Sequence, residues 1–185
     1  MPLLTIHDQP LPYVSHLPER PAGAVTLVVI HCTELPDLAS ARTYGEKVLY
    51  DNGTGNSGHY YIDRDGAVYR YVPGTRIANH VRGHNPQSIG IELVNRGRYP
   101  HWWDSHHQQM TEPYTAAQIS ALQALLARLR QDFPNLHQIA GHEDLDTALM
   151  PASDDPALQI HRKLDPGPLF PWDAFVPASG LQRLR

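Results

Sequence analysis

Val25-Thr26-Leu27-Val28-Val29-Ile30-His31-Cys32 is the stretch around which the rest of the chain is read. It is nearly all β-branched and apolar, and Pro21 and Gly23 bound it upstream. A run with no polar face reads as a strand buried on both sides, an interior strand of an α/β sheet. It ends on His31, with Thr33 and Glu34 just beyond. Such sheets place ligands at the carboxyl ends of their central strands, so His31 stands where a site is expected. A hydrogen-bonded core histidine is the plainer reading of the same residue.

Residues 1–24 read as an extended arm laid across the domain surface, with prolines at 2, 10, 12, 18 and 21. After the strand, Asp37 to Leu49 reads as a helix with a weak stripe of Leu38, Ala41, Val48 and Leu49. Asp51-Asn52-Gly53-Thr54-Gly55-Asn56 breaks it. Residues 58–63 and 67–72 are aromatic and β-branched and flank Asp65-Gly66, a tight-turn signal, so they predict a hairpin. Ser88 to Val94 reads as another strand. Its alternation puts Ile89, Ile91 and Leu93 on one face and Ser88, Gly90, Glu92 and Val94 on the other. Residues 95–114 form a long loop, and loops of that length in compact domains are commonly functional or mobile. Thr115 and Gln118 make a capping box for a helix over 115–133, with Ile119, Leu122, Leu125, Leu126, Leu129 and Phe133 as its apolar stripe. That stripe is core. Gln138 to Ala140 reads as a short strand leading to Gly141-His142. Phe170, Trp172 and Phe175 start a closing helix or its packing foot, and residues 177–185 read as a tail.

The 185 residues suit one α/β domain. A net charge of −4 argues against nucleic acid or an anionic membrane as partner. The single cysteine, Cys32, excludes an internal disulfide and suits a reducing compartment. It follows His31 directly and alternates to the other face of the strand, as a packed core thiol would. The first residues lack a basic n-region and an apolar h-region, and no stretch is apolar enough to span a bilayer. The expectation is therefore a cytoplasmic protein, unless a leader has been trimmed, and separately a monomer.

Two strands end on a histidine, His31 and His142, and Asp165 lies in a loop stiffened by Pro166, Gly167 and Pro168. Two imidazoles and a carboxylate, with a fourth position open for water, are the donor set of a catalytic zinc site. The ligands are far apart in sequence, so spacing alone leaves core histidines as the alternative. Glu92 could face water on an edge strand, and Lys163 could be a surface charge. His101, His106 and His107 could be a metal cluster, though solvated loop residues are the plainer reading, and His59 could be a buried hydrogen-bonded one. No His-Glu-x-x-His helix motif is present.

Six motifs then fall in one order: Val29-Ile30-His31-Cys32-Thr33, Ser57-Gly58-His59-Tyr60-Tyr61-Ile62, Asp65-Gly66, Asn85-Pro86-Gln87-Ser88-Ile89-Gly90-Ile91-Glu92, Gly141-His142 and Arg162-Lys163-Leu164-Asp165-Pro166-Gly167-Pro168. In that order the chain resembles type-2 N-acetylmuramoyl-L-alanine amidases of the AmpD type, relatives of phage amidase lysozymes and peptidoglycan recognition proteins. The resemblance covers roughly residues 25–175. It implies an amidase domain over 25–176 with a central mixed β-sheet flanked by α-helices and one Zn2+ in a groove on one side. By the same resemblance His31, His142 and Asp165 fall on the zinc-ligand positions, Asp165 where the phage enzymes carry a cysteine. Glu92 falls on the acid that assists water attack, and Lys163 on the lysine that stabilises the transition state. His80 and Asn85 lie in the groove-lining loop. The implied reaction is hydrolysis of the lactyl–L-alanine amide of muropeptides, 1,6-anhydro fragments recycled from the cell wall. Some proteins of this fold bind peptidoglycan without cutting it and have lost a ligand. Here all three positions are filled. The chain departs from the pattern in a segment from Asp146 to about Ala157 and in a 97–113 loop, whose Trp102 and Trp103 are expected to contact substrate.

Overall fold

A computed structural model describes residues 4–185, so Met1 to Leu3, including Pro2 of the arm, lie outside the description. In chain order the elements are β1 (Ile6–Asp8), β2 (Leu27–Cys32), α1 (Leu38–Gly45), β3 (Tyr60–Ile62), β4 (Val68–Arg70), β5 (Ser88–Leu93), α2 (Ala116–Asp132), β6 (Gln138–Gly141), α3 (His142–Leu145), β7 (Leu149–Pro151), β8 (Gln159–His161), α4 (Trp172–Ser179) and β9 (Gln182–Arg183). Every residue of β2 is buried. It lies between β5 and β6, parallel to both, in a seven-stranded sheet of order β1-β4-β3-β5-β2-β6-β9. The β3–β4 hairpin is the sheet's antiparallel pair, which makes it mixed. Gly66, at φ 86°, closes that hairpin with its N–H on the Asp63 carbonyl. A three-residue loop needs a left-handed residue there, and glycine adopts it without strain.

Alternation along β2 sorts the two faces of the sheet. Val28 and Ile30, with Ile89, Ile91 and Leu93 of β5, pack under Leu122, Leu125, Leu126 and Leu129 of α2 and Phe175 of α4. Burying each such leucine contributes about 1.5–3 kcal/mol, so α2 is the main clamp on that face. The capping box forms: Thr115 Oγ1 accepts from the Gln118 amide at 3.0 Å, and Gln118 Oε1 accepts from the Thr115 amide at 3.1 Å. Gln118 Nε2 also donates to the Val94 carbonyl at 2.9 Å, closing a backbone acceptor beyond β5. Leu27 and Val29 point to the other face, and His31 follows them in the same alternation.

Four expectations change. The first helix stops at Gly45, because the Leu49 and Tyr50 amides turn back onto the Thr54 carbonyl. Val48 and Leu49, expected on its apolar stripe, are exposed. The arm does more than cross the surface. β1 pairs with β4, and Leu11, Tyr13 and Leu17 join Ala41, Tyr61 and Tyr71 in a second core. The 146–157 segment is no plain loop, since β7 and β8 form a separate antiparallel hairpin across it. The stretch from 177 is no tail, since it carries the end of α4 and then β9, which pairs with β6. No described helix is long and apolar enough to cross a membrane.

Candidate active site

Strands β5, β2 and β6 run side by side in one direction, so their carboxyl ends form a single rim. His31 of β2 is paired in register with Glu92 of β5, and Ile30 with Gly141 of β6. His142 opens α3 directly after Gly141. The Asp165 loop is tied to the same helix, its carbonyl accepting from the Glu143 amide at 3.0 Å. Three central strands and one tethered loop thus deliver four side chains to one point.

There Nδ1 of His31 lies 2.9 Å from Oδ2 of Asp165, and Nδ1 of His142 lies 3.2 Å from the same oxygen. One ligand atom from each of the three falls within 4.8 Å of the others, and all three residues are buried. The other oxygen of Asp165, Oδ1, is enclosed without a hydrogen-bond partner. A buried carboxylate oxygen left that way is costly unless a cation shares the space. Two imidazoles, one carboxylate and an unpartnered oxygen fit a divalent ion of the zinc type, with a coordination position left for water or substrate. Burial pushes His31 down to about 4, against the raising effect of Asp165, so the ring is neutral and able to ligate at physiological pH. Burial alone would push Asp165 up. The two imidazoles override it and hold the carboxyl well below the usual range, ionised as a ligand must be.

Glu92 is partly open to the groove. Burial, reinforced by the negative charge of Asp165, pushes its carboxyl well above the ordinary value, while Lys163 opposes the shift. Gly58 makes the room Glu92 occupies, because a Cβ at that position would lie 2.8 Å from Glu92 Cγ. Lys163 lines the same groove, two residues before Asp165. The groove encloses about 650 Å³, and every site residue expected from the sequence lines it.

Those residues are not all alike. His80 turns inward, its Nδ1 3.0 Å from Nε2 of His31. Asn85 clamps the backbone, Oδ1 accepting from the His80 and Val81 amides at 3.0 and 2.8 Å. Trp102 donates Nε1 to the Glu34 carbonyl at 2.9 Å, whereas Trp103 is partly exposed. His59 is the buried hydrogen-bonded residue that its plainer reading described. Its Nδ1 accepts from the Gly90 amide at 3.0 Å. Three contributors were not assigned this role from the sequence. Arg20, in the arm, donates to the carbonyls of Gly74, Asn85, Pro86 and Ser88. Ser88 meets His80, and Arg98 forms a buried ion pair with Glu34 at 2.7 Å. Alternation put Ser88 on the Glu92 face, which was the one available hint.

The chain is similar to known proteins in sequence and in fold. The AmpD 1,6-anhydro-N-acetylmuramyl-L-alanine amidase of Enterobacter cloacae is 33% identical over 123 residues, which cover 62% of this chain and 52% of that protein. A crystal structure of a selenomethionine AmpD derivative superposes with a TM-score of 0.66 at 25% identity, covering 94% of this chain and 93% of that one. The Escherichia coli N-acetylmuramyl-L-alanine amidase AmiD, in complex with the substrate anhydro-N-acetylmuramic acid-L-Ala-D-gamma-Glu-L-Lys, superposes with a TM-score of 0.62 at 26% identity, covering 88% of this chain and 59% of that one. The chain spans about half the length of the curated relatives it matches. A family model described as N-acetylmuramoyl-L-alanine amidase matches residues 21–168, from just before β2 to just past Asp165. With His31, Glu92, His142, Lys163 and Asp165 all inside that match, the chain belongs to the N-acetylmuramoyl-L-alanine amidase family.

Proposed function

We propose that this protein is a zinc-dependent N-acetylmuramoyl-L-alanine amidase that hydrolyses the amide between the lactyl group of N-acetylmuramic acid and L-alanine. Its substrates in this reading are 1,6-anhydro-muropeptides met in the cytoplasm, for which the buried free thiol of Cys32 is suited. The observation that carries the reading is the convergence of His31, His142 and Asp165 in a groove where Glu92 stands in register with His31. The naming of the Enterobacter relative and the substrate bound to AmiD support the choice of bond and of anhydro sugar.

His31, His142 and Asp165 would hold the ion. When bound, zinc supplies Lewis acidity, polarising the amide carbonyl and bringing water's proton within reach of a carboxylate base near neutral pH. Glu92 takes that proton as water attacks the lactyl carbonyl, and delivers it to the alanine nitrogen as the C–N bond breaks. Such a role is worth on the order of 10²–10⁴-fold. Burial, which raises the Glu92 carboxyl, favours the acid half of the cycle, and a dication held by His31, His142 and Asp165 would favour the anion that the base half needs. Lys163 faces the developing oxyanion, a role worth on the order of 10²–10³-fold by analogy with single oxyanion donors. Glu92→Gln keeps size and hydrogen bonding but cannot take a proton. It should retain zinc and substrate affinity while kcat falls by roughly 10²–10⁴-fold. His142→Ala should lose the metal. Full zinc occupancy in His142→Ala, or more than about a tenth of wild-type kcat in Glu92→Gln, would contradict these roles.

A further inference from the structure

His80 lines the groove, yet both of its ring nitrogens are engaged inside the protein. Nδ1 is 3.0 Å from Nε2 of His31, and Nε2 is 3.1 Å from Oγ of Ser88. Ser88 Oγ in turn lies 2.7 Å from the His84 carbonyl oxygen. That last contact sets the direction of the whole row. A carbonyl oxygen can only accept, so the one hydroxyl proton of Ser88 lies toward His84. Ser88 Oγ is then left to accept from His80, and the proton of His80 must sit on Nε2. A neutral imidazole has a single ring proton, so Nδ1 of His80 is an acceptor and the Nε2–H of His31 donates to it. The proton of His31 is thereby committed to Nε2. Its free electron pair is on Nδ1, the nitrogen that faces Asp165 and shares the centre with His142.

The scaffold holds this row in place from three sides. Asn85 Oδ1 fixes the His80 and Val81 amides. Gly90 lets the His80 ring lie against β5, since a Cβ there would come within 2.6 Å of its Cγ. Arg20 pins the turn before Ser88 through the Asn85, Pro86 and Ser88 carbonyls at 2.9, 3.1 and 2.8 Å. Ser88 itself is fully buried.

We propose that His80, backed by Ser88, is a positioning residue that sets the tautomer of His31 and so aims the unprotonated Nδ1 at the metal. The inference rests on the zinc reading above. Histidine ligands ordinarily give their second N–H to a carboxylate, a carbonyl or water. An imidazole in that place accepts the proton without adding charge, so Asp165 remains the one anion among the ligands.

Long-range proton–nitrogen NMR spectra of the metal-free and zinc-loaded protein read ring tautomers directly, and competition with a chelator reads zinc affinity. His80 should be the Nε2–H tautomer in both states, with His31 Nε2–H in the loaded one. Ser88→Ala and His80→Phe should each weaken zinc binding by roughly 10–100-fold. His80→Asn, whose Oδ1 can accept where Nδ1 did, should recover most of that loss. A space-filling role alone would favour Phe, the nearer in size to His, over Asn. The relay is overturned if wild-type His80 carries its proton on Nδ1. It is equally overturned if the folded Ser88→Ala and His80→Phe proteins bind zinc as tightly as wild type. Absence of zinc uptake by wild type would bring down the metal reading and the proposal with it. Normal uptake with the wrong His80 tautomer would overturn the relay alone.

Discussion

His59 shows what a buried imidazole demands. Burial, with the Arg20 charge adding to it, pushes its pKa down to about 3. The unfolded ring titrates near ~6.5. As pH falls below that, the unfolded chain binds a proton that folded His59 refuses. Stability is therefore full above about 6.5 and is lost as pH falls toward the folded value, at about 1.4 kcal/mol per pH unit for this one ring. Denaturant unfolding at neutral and mildly acidic pH should show that loss, and His59→Gln, which cannot titrate, should flatten it by about that slope. An unchanged slope in His59→Gln would show that other groups carry the acid sensitivity. At this scale the sequence was readable where a residue sat at the end of a patterned element. His31 closed an apolar run, and Glu92 fell on the face opposite Ile89, Ile91 and Leu93. Arg20 was not readable. Its partners are carbonyls at positions 74, 85, 86 and 88, and nothing in a proline-rich arm announces them.

Among the elements, the 97–113 loop and the 146–157 segment form one wall. Arg98, its side chain fully enclosed, donates to Glu34 at 2.7 and 2.8 Å, to Gln108 Oε1 at 3.1 Å and to the His161 carbonyl at 3.0 Å. Asp154, between β7 and β8, takes the Ser105 amide at 2.7 Å and its hydroxyl at 2.6 Å, and the Ser153 amide bonds the Trp103 carbonyl at 2.7 Å. The wall stands on the groove, and its two indoles have different tasks. Trp103, 39% exposed, is the indole proposed to meet substrate. Trp102 is tied by its N–H to Glu34. Trp103→Ala should raise KM several-fold with little change in Tm. Trp102→Ala should lower stability by about 1–3 kcal/mol, because it strips a partner from a carbonyl. Thermal unfolding and steady-state kinetics on the two variants separate the tasks, and identical behaviour would refute the division. Helix α2 was readable because a cap and a leucine stripe agreed. The first helix was overextended because Val48 and Leu49 mimic a stripe while lying in an exposed turn. The β7–β8 hairpin left no pattern, since its three-residue strands, Leu149-Met150-Pro151 and Gln159-Ile160-His161, lack the aromatic and β-branched runs and the Asp-Gly turn that marked β3–β4.

For the molecule as a whole, the parallel order of β5, β2 and β6 does what no single residue does. It sets Glu92, His31 and His142 on one rim, though they are spread over more than half the chain. The buried run at β2 made the sheet legible. The strand order and the arm's share of the second core could not be read, because both depend on pairings between distant segments. The central claim is that this rim hydrolyses one particular amide, and isotope labelling tests it most directly. The zinc-replete protein is incubated with an anhydro-muropeptide in water enriched in heavy oxygen, and the fragments are resolved by mass. The expected result is a free stem peptide with an unlabelled new amine at L-alanine, and a sugar fragment with one heavy oxygen in its lactyl carboxylate. Uncut substrate, or heavy oxygen in a carboxylate of the peptide fragment, would contradict it.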